Sequence, residues 1–167
     1  MLESLKELMV HEISVRLARE SDKERLLSWR NNPAVSKFAR TKSIITNQDH
    51  IRWFEHRLNT INEEPIFIFN IDAVAIGMTR LDFICDEPKT FEVSILLDQL
   101  FQKTGHGKRI LAYTCETAIN DYLASVIQAS IHKDNVISQK LFLNSGFAEV
   151  EDSAASFSFF KLRKGNN

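Results

Sequence analysis

The sequence is poor in cysteine. Cys85 and Cys115 are its only two, with no C-x-x-C partner and no histidine pair at ligand spacing beside either. That excludes a disulfide framework and a thiolate metal site, and both thiols are read as reduced core residues. The histidines, His11, His50, His56, His106 and His132, are scattered without an H-x-x-x-H pair, so no metal is expected. Charge of either sign is not in excess: 21 Lys and Arg stand against 22 Asp and Glu, a formal net charge of -1. No basic field then exists to condense on nucleic acid or an anionic membrane, and a small molecule or short peptide is the favoured substrate. No apolar run approaches the roughly 20 residues that span a bilayer. The start, Met1-Leu2-Glu3-Ser4-Leu5-Lys6-Glu7, lacks the uninterrupted apolar core of a signal peptide, so a cytoplasmic protein is expected. Three prolines, five glycines and no biased stretch leave a chain that folds throughout, of a length suited to one domain.

Hydrophobic period supplies the elements. Ile13 to Leu17 alternates as a half-buried strand. Ser21-Asp22-Lys23-Glu24 reads as a capping box opening a helix through Leu26, Leu27 and Trp29, which Pro33 ends near Asn31-Asn32. Ala34 to Ile45 has no clear period and is expected to be an ordered loop able to line a pocket. Thr46-Asn47-Gln48-Asp49 caps a second helix with Ile51, Phe54 and Leu58 on one face and His50, Trp53 and Arg57 on a neighbouring stripe. Strands follow at Ile66 to Phe69, Val74 to Ile84 and Phe91 to Leu97, separated by turns at Asn70-Ile71-Asp72 and Asp86-Glu87-Pro88-Lys89: an antiparallel meander. Gly107 to Tyr122 is a helix with Leu111, Cys115, Ala118 and Tyr122 on its buried face. Val126 to Ile131 is a strand, Asn135 to Ser145 a helix with Gly146 as left-handed cap, and Phe157 to Leu162 a closing strand. The result is a mixed α/β domain over residues 13–167, one sheet flanked by helices, with residues 1–12 as a short N-terminal extension.

The chemistry-bearing motif is Gln102-Lys103-Thr104-Gly105-His106-Gly107, between the strand ending at Leu97 and the next helix. A glycine-bearing turn at a helix N-terminus directs free N–H groups and the positive end of the helix dipole to one point, where a phosphate fits. Lys108 and Arg109 add charge at its margin. A P-loop needs glycine where Gln102 stands and serine or threonine where Arg109 stands, and a dinucleotide fingerprint needs G-x-G-x-x-G; neither is present.

Q-x-x-G-x-G with its helix, then a strand, then Asn135-x-x-Ser138 and Ser145-Gly146-Phe147, resembles the GNAT superfamily of acetyl-coenzyme A-dependent N-acetyltransferases, over Ile13 to about Leu162. The resemblance implies a mostly antiparallel sheet splayed between the strands ending at Leu97 and starting at Val126, with the acyl thioester of acetyl-CoA in the gap. It implies a pyrophosphate on the turn at Gln102 and the amides of Lys103, Gly105, Gly107 and Lys108. Pantetheine amides are implied on the Ile95-Leu96-Leu97 edge, and the arm bonded by Asn135, which also suits a helix N-cap.

Acetyl transfer to an amine requires a proton acceptor and stabilisation of an oxyanion. Glu92 resembles an acidic position that many members use as base through a bound water, and His132 is a second candidate. An N–H near Ile95 or Leu96 is expected to hold the oxyanion. Where many members carry a thiolate-protonating tyrosine, this chain has Phe142. Ser138 then donates, or the thiolate leaves unassisted, as a thiol pKa near 8.5 permits, or the chain is an acyl-CoA-binding module without transferase activity.

The Trp29-Arg30-Asn31 and His50-x-x-Trp53-Phe54 pattern is similar to the branch acetylating UDP-linked 4-amino-dideoxy sugars in pseudaminic acid biosynthesis, and to the branch acetylating ribosomal-protein N-termini. Arg30 offers a diphosphate fork, Asn31 stands beside it, His50 is a donor, and Trp53 or Phe38 offers a flat face. A UDP-amino sugar is the leading acceptor and a peptide N-terminus the alternative. A homodimer stays open.

Overall fold

The computed structural model describes residues 12–150, 156–163 and 165. Of the expected extension only Glu12 falls within them. Seven strands form one sheet: β1 (Ile13–Leu17), β2 (Ile66–Ile71), β3 (Val74–Asp86), β4 (Lys89–Leu97), β5 (Val126–His132), β6 (Ala148–Val150) and β7 (Phe157–Arg163). Their order is β1-β2-β3-β4-β5-β7-β6, and β4–β5 is the one parallel pair. The helices are α1 (Lys23–Asn31), α2 (Pro33–Ser36), α3 (Asn47–Asn59), α4 (His106–Asn120) and α5 (Val136–Leu143). Among the described residues no helix is long and apolar enough to cross a membrane.

The sheet is covered on both faces. Ile66, Ile68, Ala75 and Met78 pack with Leu26 and Trp29 of α1 and Phe54 of α3. Phe67, Phe69, Ile76, Leu81 and Phe91 pack with Ile110, Leu111, Cys115 and Ala118 of α4 and Phe142 of α5. Burial on both faces explains why β2 reads as an unbroken apolar run, Ile66-Phe67-Ile68-Phe69. Thr79 and Thr114 tie sheet to helix through a buried hydroxyl pair at 2.7 Å.

Several expectations are corrected. Ser21 does not cap α1. A 3-10 turn at Glu20–Asp22 precedes that helix, and the Asp22 carboxylate accepts instead from the Arg19 N–H (2.8 Å) and from both ends of the Arg16 fork (2.6 and 2.8 Å). Phe54 and Leu58 of α3 pack inward as expected, but the deepest polar residues beside them are His50 and Arg57, both buried. Arg57 is held there by Asp82 (2.9 Å), Glu64 (3.3 Å) and the carbonyls of Glu64 and Leu81 (2.9 and 3.0 Å), so its charge and four partners bury together. The first hairpin turns at Asp72, φ 52°, within the expected turn, whose Asn70 and Ile71 are instead the last residues of β2. Strand β6 went unread, being three residues long. Of the two thiols, Cys115 is a core residue, and burial pushes its thiol up to about 12, whereas Cys85 is exposed near the tip of the β3–β4 hairpin.

Candidate active site

The parallel ladder between β4 and β5 is short: Thr90, Phe91 and Glu92 pair with Val126, Ile127 and Gln128, and there the strands part. Beyond it β4 remains paired only to β3 and β5 only to β7. A cleft of about 570 Å³ opens at the split, walled by both strands, α3 and the segment between α1 and α3. That segment is the ordered, cleft-lining loop expected from Ala34 to Ile45, with its start taken up in α2.

Hydrogen-bond alternation shows which β4 groups face the gap. The Asp98 N–H donates to Ile76 O (2.8 Å), so Leu96 and Ser94 turn their backbone groups to β3, while Leu97, Ile95 and Val93 turn theirs to the gap. Of the expected edge, then, Leu96 is spent on β3. The Leu97 carbonyl accepts from Gln102 Nε2 (3.0 Å), which pins the turn that follows.

That turn has the geometry of an anion cradle. Lys103 and Gly105 sit at φ 61° and 85°, and a left-handed residue beside right-handed ones points successive N–H groups to one side. For Lys103 the conformation costs about 1 kcal/mol; Gly105, the N-cap of α4, adopts it freely. Gly107 and Lys108 fall in the first turn of α4, where N–H groups have no intrahelical acceptor. Among the described residues nothing accepts from the N–H of Lys103, Gly105, Gly107 or Lys108.

Across the gap, Asn135 caps α5, its Oδ1 accepting from the Ser138 N–H (3.2 Å), and both residues line the cleft. The Ser138 hydroxyl has no partner among the described residues. Phe142 is 2% exposed, packed edge-on against Phe147 (4.9 Å between centroids) and against Phe160, at the cleft floor.

Glu92 stands at the point where β4 and β5 separate. Its oxygens accept from Arg40 Nη2 (3.2 and 3.3 Å), and Oε2 also from Ser130 Oγ (3.4 Å); Arg40 Nη2 contacts Ser130 as well. His132 ends β5 between Phe38 and Phe157. Its Nδ1 accepts from the Asp134 N–H (3.2 Å), which puts the hydrogen of the neutral ring on Nε2. The same Nδ1 lies 3.7 Å from the Asp134 carboxylate, and His132 lines the cleft.

Three arginines, Arg30, Arg40 and Arg80, line the cleft. Arg30 Nη2 donates to Thr41 O (2.6 Å), while its Nη1 is buried without a partner. Burial, with the like charge of Arg80 beside it, holds the Arg30 guanidinium below its ordinary value. Arg80 donates from Nε to Asp82 (2.9 Å) and lies 5.7 Å from the Trp53 ring centroid. Asn31 and His50 are otherwise occupied. The Asn31 amide exchanges two 2.9 Å bonds with the backbone of Ile45, bracing both ends of the loop. His50 is 3% exposed, donates from Nε2 to Lys23 O (2.9 Å) and stacks on Phe54. Arg40, Arg80 and Ser130 were missed by sequence reasoning; the alternation of Arg80 and Asp82 along β3 was the one available signal.

A split sheet beside a left-handed glycine turn at a helix N-terminus has the form of a coenzyme A-binding acyl-transfer cleft. Residues 12–148 match the acetyltransferase (GNAT) domain, and the chain belongs to that family of acetyl-CoA-dependent N-acetyltransferases. It is 23% identical over 129 residues to acetyltransferase PseH of Campylobacter jejuni subsp. jejuni serotype O:23/36 (strain 81-176), covering 77% of this chain and 78% of that protein. In fold it is similar to YncA of Salmonella typhimurium, solved with its cofactor acetyl-CoA (TM-score 0.77, 16% identity, 93% and 96% of the two chains). It is also similar to apo FdhC, a nucleotide-linked sugar GNAT (TM-score 0.76, 21% identity, 92% and 87%).

Proposed function

We propose that this acetyltransferase, working in the cytoplasm, acetylates the primary amine of a nucleotide-linked amino sugar. The observation that carries the acceptor class is the Arg30–Arg80 pair. Two guanidinium groups of like charge line one cleft beside Trp53, and one buried N–H lacks an acceptor. Buried donors without partners cost free energy that an anionic ligand recovers, and a diphosphate supplies the oxygens while Trp53 supplies a face for a ring. A polyamine would meet repulsion at the same place. The matches to PseH and to a nucleotide-linked sugar acetyltransferase support this reading.

Acetyl-CoA, when bound, supplies the activated acetyl group. The amides of Lys103, Gly105, Gly107 and Lys108 hold its pyrophosphate, on a turn that Gln102 fixes to Leu97. The gap-facing Ile95 and Leu97 would pair with the pantetheine arm, Ile95 would offer its N–H to the thioester carbonyl, and Asn135 would donate from its side-chain amide. Glu92 accepts the proton of the attacking amine, directly or through water. Ser138 would donate to the leaving sulfur, since Phe142 has no proton to give.

The test is thiol release from acetyl-CoA with UDP-linked 4-amino-4,6-dideoxy sugars, N-terminal peptides and spermidine. The expected result is turnover of the UDP sugars alone. Turnover of peptides with none of the sugars would replace the proposed acceptor with a protein N-terminus.

A further inference from the structure

Arg40 belongs to no motif, yet its side chain reaches both edges of the split from a third element. Its Nη2 bridges the two Glu92 oxygens on β4 and reaches Ser130 on β5, positions 52 and 90 residues away. The loop that carries it is braced at its ends by Asn31 and Arg30, so the guanidinium is delivered to the cleft by a fixed frame. We propose that Arg40 is a catalytic residue that keeps the acceptor amine in its neutral form.

The argument rests on Glu92 as proton acceptor. A lone carboxylate beside the amine site has an unwanted effect: it stabilises the ammonium form, which has no lone pair with which to attack. A cation fixed on that carboxylate offsets the attraction, and although it lowers the carboxylate's own proton affinity, the far more acidic N–H of the forming adduct still passes its proton to Glu92 as the N–C bond forms and the electron pair of the C–S bond departs on sulfur. The other charged groups lining this cleft are Arg30 from α1, Arg80 from β3, Asp49 and His50 from α3, and His132 from β5. Arg30 and Arg80 add to the effect, Asp49 opposes it, and the histidines add to it only when protonated. With an effective dielectric of about 20 and a separation of about 6 Å, Coulomb's law gives a shift of about two pH units for an amine beside Arg40. The Arg40 side chain is 60% exposed, and screening reduces that to about one unit.

The experiment compares pH profiles of kcat at saturating acceptor, which reports groups in the bound complex, for wild type, Arg40→Gln, Arg40→Lys and Glu92→Gln, using the acceptor that turns over fastest in the panel above. Arg40→Gln is expected to move the acidic limb up by about one pH unit, losing about tenfold in rate below the limb and little above it. Arg40→Lys is expected to keep the wild-type limb. A loss in Arg40→Gln that is the same at every pH, an unmoved limb, or a lysine variant that behaves like glutamine would each overturn the proposal and leave Arg40 as a loop brace. Full activity of Glu92→Gln from about pH 6 to 9 removes Glu92 as base, an outcome separate from the position of the limb in Arg40→Gln. Melting curves establish that all four proteins fold.

Discussion

Replacing the arginines of the acceptor cleft tests the substrate class most directly. Arg30 presents one buried N–H with no acceptor, and Arg80 sits beside it above Trp53. A hydrogen bond from a charged donor contributes about 1.5–3 kcal/mol net, which is about 10- to 150-fold in an equilibrium constant. Arg80→Gln keeps the loop bond from Arg30 to Thr41 and removes a charge facing the cleft together with its ion pair to Asp82, so melting curves accompany it. Its KM for a UDP-amino sugar is expected to rise at least tenfold while the KM for acetyl-CoA is unchanged. Arg30→Gln is expected to do the same, with some loss of kcat as the loop that carries Arg40 loosens. Added salt should raise the wild-type KM for the sugar and affect Arg80→Gln less, since part of the charge to be screened is gone. Steady-state rates at several salt concentrations, with UDP as competitive inhibitor, report all of this. A KM that ignores both substitutions and salt would refute the anionic acceptor, whatever the rate of transfer.

Three further outcomes follow from particular residues. Gly105→Ala places a Cβ on a residue at φ 85°, a strain of about 1 kcal/mol, and should raise the KM for acetyl-CoA several-fold without moving that for the acceptor. Burial pushes the Asp22 carboxyl up, but bonds from Arg16 and the Arg19 N–H, with the charges of Arg16 and Arg25, outweigh it and hold the group below its ordinary value. Its stabilisation is therefore present above the unfolded pKa of about 3.9 and is lost as pH falls through the lower folded value. Asp22→Asn should destabilise by about 2 kcal/mol at neutral pH and flatten urea-measured stability across the acid range; an unchanged acid slope would remove Asp22 from that role. Maleimide should label Cys85 within the native protein and Cys115, 7% exposed with its thiol near 12, only as the chain unfolds.

What was legible in the sequence is what the backbone does. The strand–turn–helix at Leu97 to Gly107, the caps at Thr46 and Asn135 and the left-handed Gly146 all follow from local rules that need no distant partner, and each is present. The misreadings come where a distant partner reverses a local preference. His50 and Arg57 look like a solvated stripe until the carbonyls of Lys23 and Leu81 and the carboxylate of Asp82 are brought to them. Ser21 looks like a cap until Arg16, on a neighbouring strand, commits Asp22 to a different arrangement.

The same division runs through the site and explains why its two halves were read so differently. The cofactor half is made of N–H groups from a turn, a helix start and a strand edge, so glycine positions and hydrophobic period are enough to locate it. The acceptor half is made of side chains converging from α1, β3, β4, β5 and a loop without period. Arg40 meets Glu92 and Ser130 across 52 and 90 residues, a pairing that no spacing rule encodes. Backbone recognition suits a coenzyme whose pyrophosphate is the same in every reaction, whereas side chains on a loop can be exchanged for each new amine. On the proposed reading, the residues hardest to find in the sequence are for that reason the ones that select the amine.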